Sequence, residues 1–279
     1  MFSQAFKLIE PTDPEFWRNN IPHFPKNYEP CLSLLSEQIP HFPQEVRERL
    51  IEQFCPSTLS DFIRSNPSDE HCLVRLYLGR RRLKPQNQSR FQRFSLRNDP
   101  LHIDQMESLG LDIEAYARAM GTLLAVICWE AGIDGNDVEF VLAPPRSSAV
   151  DAESPSPNPS SSSTQPEPQV FHSPFFGEHT IWILDFDCCC DMRLDERGVE
   201  QAVAAFFRND PYFPRPCAKS DEEGSQMAWR KFREAFLQSS LVVLGQEKVW
   251  LAEKLVRRIE EVGWERRRLT EEGSAGGEE

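Results

Sequence analysis

With 279 residues, 39% of them hydrophobic, the chain can bury one large core or two small ones, which excludes a wholly disordered protein. A net charge of −13 argues against general nucleic-acid or anionic-membrane binding. No run of about 18 apolar residues occurs, and the opening MFSQAFKLIE lacks the apolar stretch of a signal peptide, so the chain reads as intracellular, cytoplasmic or nuclear, without a membrane role.

In the first 44 residues, prolines at 11, 14, 22, 25, 30, 40 and 43 interrupt any long element. Two short strands are expected there, FKLIE (Phe6 to Glu10) and CLSLLSEQI (Cys31 to Ile39). Glu45 to Phe54 then offers Val46, Leu50, Ile51 and Phe54 at helical spacing. Residues 72–78 (CLVRLYL) form a strand candidate, and 91–97 (FQRFSLR) alternate as its hairpin partner would. Between Cys72 and Arg97 lie Arg75, Arg80, Arg81, Arg82, Lys84, Arg90, Arg93 and Arg97, with no acidic residue. Such a run is usually a solvated hairpin tip matched to acidic surroundings. The competing reading is an anion-binding patch at Arg80, Arg81 and Arg82; a nuclear-localisation role for RRRLK is a weaker third.

The clearest helix spans 112–130, with Asp112 as N-cap, an apolar face from Ile113 to Ile127, and Gly132 to end it. Residues 138–142 (VEFVL) and 180–187 (TIWILDFD) read as two strands of one hairpin. The stretch between them, Ser147 to Gln169, is too polar to offset its ordering entropy and reads as a disordered insertion at the hairpin tip. Pairing the two strands brings Asp134, Asp137 and Glu139 to the same edge as Asp185 and Asp187. An apolar helix follows at 196–208, three prolines in NDPYFPRP break it, and two more helices follow at about 225–243 and 246–267. The tail from 269 to 279 is expected to be disordered.

This order of elements resembles the protein-kinase and aminoglycoside-phosphotransferase fold. The resemblance implies an α+β, kinase-like architecture: a reduced β-rich N-terminal lobe over 1–100 and a mainly helical C-terminal lobe over 101–268 that contains the hairpin. It implies Asp185 as the metal-binding Asp after the second strand and Asp137 in place of the metal-binding Asn, both suited to Mg²⁺. The catalytic base does not fall into register, since five residues before Asp137 stands Gly132, with Asp134 two positions away. AFKL (Ala5 to Leu8) resembles the strand that carries a kinase lysine, which would be Lys7, but the chain leaves no room for the helix that should follow.

At the level of sequence, CLVRLYLGRRR (Cys72 to Arg82), FSLRNDPLHIDQMESLGLD (Phe94 to Asp112), AGIDGNDVEFVLAPPR (Ala131 to Arg146), WILDFDCC (Trp182 to Cys189) and GVEQAVAAFFRNDPYFPRP (Gly198 to Pro216) resemble a fungal family of unknown function whose members are often called zinc finger proteins. Spacing argues against zinc. No Cys-x-x-Cys occurs, and Cys188, Cys189 and Cys190 are adjacent, so in an extended strand they alternate between faces. An irregular set with His172, His179 and Cys217 is the remaining zinc option, and Cys31, Cys55, Cys72 and Cys128 read as ordinary thiols. His71 and His102 have no partner motif.

The expected function is a non-catalytic, pseudokinase-type interaction module with a protein partner and no cofactor. The alternative is a divergent metal-dependent small-molecule phosphotransferase with Asp134 as base and Mg²⁺ on Asp137 and Asp185; a zinc-binding protein ranks third.

Overall fold

The computed structural model describes residues 1–82, 94–146, 169–209, 211–216, 218 and 222–275. The expected insertion, save Gln169, lies outside them, as do Lys84, Arg90, Arg93 and Cys217. No helix among the described residues is long and apolar enough to cross a membrane.

The protein is a mixed α+β structure. Strands β1 (Ala5–Ile9) and β2 (Ser33–Ser36) form an antiparallel ribbon, with α1 (Pro14–Asn20) between them in sequence. Helices α2 (Gln44–Phe54) and α3 (Ser60–Ser65) lead to β3 (Leu73–Tyr77). Then come β4 (Arg97–His102), α4 (Ile103–Ser108), α5 (Ile113–Ala125), β5 (Glu139–Ala143), β6 (Phe171–Ser173) and β7 (Gly177–Leu184). The chain finishes with α6 (Glu196–Arg208), α7 (Glu223–Lys248) and α8 (Trp250–Ala275).

Five strands make one sheet in the order β4-β3-β5-β7-β6. The β5–β7 pair is antiparallel as expected, with Glu139 opposite Leu184 and Ala143 opposite Thr180. The near-continuous apolar run of β5 follows from burial on both faces. Phe140 and Leu142 enter the main core with Ile181 and Ile183, whereas Val141, Ala143 and Trp182 form a second cluster covered by Met1, Ile39, Leu73 and Leu184.

The expected hairpin partner of β3 is corrected by the pairing. The strand beside β3 is Arg97–His102 and runs parallel, with Leu76 opposite Leu101. Pro100, which lacks a ladder donor, is tolerated because β4 is an edge strand. The boundary expected at residue 100 therefore falls inside a strand of a sheet that both segments share.

Helix α5 starts where Asp112 accepts from the Ala115 amide at 2.9 Å and continues through a π-helical turn, Val126–Glu130, before Gly132 adopts φ 69°. It packs on α7 at Gly121, where an added Cβ would meet the Phe232 carbonyl oxygen at 2.3 Å. Gly245, with φ 66° and ψ 178°, breaks the helical path ahead of α8. The last helix extends to Ala275, past the point where the sequence suggested a disordered tail; 276–279 lie outside the described residues.

Candidate functional site: an acidic edge at the head of the central hairpin

Because Glu139 pairs with Leu184, the residues just before β5 lie beside those just after β7. Asp137 (φ 65°) and Asp185 (φ 68°) both adopt the left-handed backbone, a conformation Asp tolerates better than most residues. The ligand atoms of Asp137, Asp187 and Cys188 all lie within 4.8 Å of one another at the surface. Asp185 stands beside this group, and its carboxyl is raised above the usual range by desolvation first, then by a hydrogen bond and charge from Asp187 and the charges of Glu139 and Asp137. The two aspartates expected at one edge are there, but the closest group is made by Asp137 with Asp187 and Cys188. β7 ends at Leu184, and Asp187 and Cys188 lie in the turn that follows, which is how two adjacent side chains come to one place.

The neighbouring carboxylates have other partners. Glu139 meets the Arg75 guanidinium of β3 at 2.6 Å, and burial with Glu139 beside it pushes the Tyr212 phenol up. Asp134 is buried, and its Oδ1 accepts from the amides of Asn136 (3.1 Å) and Cys190 (3.1 Å) while its Oδ2 accepts from Gln201 of α6 (2.9 Å). The Asp134 amide donates back to the Cys190 carbonyl at 3.1 Å. Its carboxylate thus ties the loop before β5, the segment after β7 and α6 together. The Asn209 amide of the α6 C-terminus adds donations to the carbonyls of Gly135 (3.2 Å) and Val138 (2.9 Å).

The other sequence candidates are spread over the fold. Lys7 sits in β1 and pairs with Asp13, the α1 N-cap, at 3.1 Å. Arg81 forms a two-pronged pair with Glu107 (2.8 and 2.6 Å) and reaches Ser225 at 3.1 Å. Arg82 meets Asp104 at 2.8 Å. Arg80 lines a separate pocket. His102 closes a capping box with Gln105 at the start of α4, and His71 contacts His41 edge-on at 5.4 Å.

A zinc-finger ligand set does not fit these residues. His179 has both ring nitrogens engaged, by the Tyr116 hydroxyl at 2.6 Å and the Gly177 carbonyl at 2.8 Å, and His172 stands opposite Glu178. Burial, with Asp134 beside it, pushes the Cys189 thiol up to about 11, and the Asp187 charge raises Cys188. Among the described residues only Asp137, Asp187 and Cys188 converge, two hard oxygens and one sulfur rather than four ligands in a tetrahedron.

A family of unknown function described as "Zinc finger protein" matches residues 181–248, less than half of the chain. That span runs from β7 through Asp185, Asp187 and the three cysteines to the end of α7, and omits Asp134, Asp137 and Glu139. No curated protein and no solved structure matches the chain.

Proposed function

We propose that the chain is a non-catalytic interaction module, kinase-like in the order of its elements, that takes up an extended apolar segment of a partner protein along the β1–β2 ribbon. The observation that carries this is the ribbon's own surface. Phe6 (56% exposed), Leu8 (54%), Leu32 (59%) and Leu34 (62%) are all open to solvent, and Leu8 lies opposite Leu34, so those two share a face. In a two-stranded sheet each strand also keeps one unpaired edge, the arrangement to which an extended peptide adds.

An isolated ribbon is marginal in water, so its rigidity needs a cause. Ile9 of β1 and Trp17 of α1 are both buried, and the Trp17 indole donates to the Glu10 carbonyl at 2.9 Å. Glu37, just past β2, takes two hydrogen bonds from Arg146 at 2.6 Å each and joins the ribbon to the end of β5. A surface held open in this way binds without a large ordering cost. The non-catalytic part rests on Asp134, the residue the kinase resemblance offers as base, whose carboxylate already accepts three hydrogen bonds.

The test pans a random dodecapeptide display library against the wild type and Leu34→Lys. Enrichment of alternating apolar sequences that Leu34→Lys no longer holds is the expected result, with the thermal melt unchanged because Leu34 is exposed. Failure to enrich, or equal retention by the variant, would overturn the reading. One observation favours a second reading, the metal-dependent phosphotransferase: the Asp137, Asp187 and Cys188 group could draw a divalent cation. ATP turnover with Mg²⁺ that Asp137→Asn abolishes would replace the first reading with this one.

A further inference from the structure

In a chain of net −13, one pocket is lined by four arginines, Arg80, Arg215, Arg266 and Arg267, together with Phe207 and Thr270, and by no acidic side chain among the described residues. Its volume is about 250 Å³. The pocket lies where the end of β3, the segment after α6 and the last turns of α8 meet.

Close backbone approach builds it. Leu78 and Gly79 donate to the carbonyls of Tyr212 (3.0 Å) and Pro211 (2.8 Å), and a Cβ on Gly79 would meet the Phe213 carbonyl oxygen at 2.4 Å. On the opposite wall a Cβ on Gly263 would meet Pro216 Cγ at 2.6 Å. Only glycine lets these three segments come together.

The guanidinium groups are held in place before any ligand arrives. Arg215 donates to the Phe206 carbonyl at 3.0 Å and lies over the rings of Phe206 (4.9 Å) and Phe207 (5.0 Å). Arg266 lies over the same Phe207 ring at 4.4 Å. Arg267 lies over Trp264 and shares its Nε with Glu271 at 2.8 Å. Several arginines outside the pocket answer carboxylates, as Arg75 meets Glu139, Arg81 meets Glu107, Arg146 meets Glu37 and Arg258 meets Glu200, all within 2.8 Å, whereas Arg49 donates to the Pro174 and Phe175 carbonyls. Arg266 has neither kind of partner among the described residues and packs on an aromatic ring. Two cations gathered over one ring repel each other, and a multiply charged anion relieves that repulsion.

We infer that this pocket binds a small, multiply charged oxyanion of the phosphate type, a phosphate monoester or a diphosphate. The planar guanidinium fork matches phosphate oxygens two at a time, which a scatter of lysines would not. The small volume admits a phosphate group with a short attachment and is too small for a nucleic-acid strand. The inference is independent of the ribbon reading, because it uses other residues.

Titration calorimetry with pyrophosphate, at constant ionic strength, tests it. The wild type should bind with a dissociation constant on the order of 10–100 µM, and its melt should move up as pyrophosphate is added. Arg266→Ala should weaken binding at least about tenfold, and Arg266→Lys, which keeps the charge but not the fork, should fall between. Arg258→Ala, outside the pocket, should bind as the wild type does. A short phosphoserine peptide run in parallel separates a phosphorylated side chain from a free small molecule as the source of the group; binding of either supports the site. Absence of binding at millimolar pyrophosphate and peptide, equal binding by Arg266→Ala, or equal loss in Arg258→Ala would each overturn it.

Discussion

Asp134 shows how a single carboxylate can look catalytic in sequence and act structurally in space. The carboxylate is buried while its three accepted hydrogen bonds are part-buried, and a lost partner leaves each donor unsatisfied at about 1–3 kcal/mol, at the low end where water reaches it. Asp134→Ala should therefore lower unfolding stability by roughly 3 kcal/mol in urea denaturation; a change under about 0.5 kcal/mol would mean water takes its place. Asp99 makes the opposite case. It is buried, its Oδ2 has no hydrogen-bond partner, and burial followed by the charge of Asp69 pushes its carboxyl up to about 7. The unfolded chain releases this proton near pH 4, while the folded chain holds it to about pH 7. Stability from this residue is thus fully present at acid pH and is lost as pH rises from about 4 to about 7. Asp99→Asn removes the charge. The stability difference between pH 5 and pH 8 should shrink by roughly 2–3 kcal/mol in the variant, and an unchanged difference would show that Asp99 is solvated or paired in the folded state.

At the scale of elements, the sequence was legible where the signal was local. The Asp112 cap, the bounds of α6 and the break at Gly245 all rest on residues within one or two turns of each other. The β5–β7 hairpin was legible too, because antiparallel pairing forces the start of one strand beside the end of the other, whereas the convergence of Asp137 with Asp187 and Cys188 rests on the turn after β7. The parallel neighbour of β3 was not. The alternation of FQRFSLR mimicked a hairpin partner, while the true strand begins with Arg-Asn-Asp-Pro, which reads as a turn. The clasp of Arg81 with Glu107 and the four-arginine pocket were hidden for a simpler reason, since their members come from separate elements. The α5–α7 crossing gives a prediction with opposed terms. Ala in place of Gly at a helix interior gains about 1 kcal/mol of propensity, whereas forcing a side chain into a packed contact costs about 1–3 kcal/mol or more. At Gly121 the new Cβ would lie 2.3 Å from a backbone oxygen that cannot rotate away. The clash should win, and Gly121→Ala should lower the urea midpoint; a stabilised variant would mean that the helices do not cross there.

For the whole molecule, the decisive fact is that β3 joins β4 to β5 within a single sheet. Val74 pairs with Leu142 and Arg75 with Val141, so residues on the two sides of position 100 share ladder bonds as well as the Arg75–Glu139 ion pair. The main core follows the same pattern, running without a break from Phe42 and Val46 of the first part to Phe232, Leu255 and Ile259 of the last. Two independent lobes would each need a core of their own, and a part cut away here leaves an open sheet edge and buried apolar side chains facing water. Val74, Leu76 and Leu78 are all within 1% of full burial, so their partners in the C-terminal part would lose that cover together. The fragments 1–102 and 103–279, expressed separately, should therefore lack a cooperative thermal transition and expose apolar surface to a dye such as ANS. Mixed in equal amounts, they should regain strand signal in circular dichroism and a single melt that depends on concentration, as binding-linked folding requires. A sharp transition for 103–279 alone would show that the C-terminal part is a lobe in its own right.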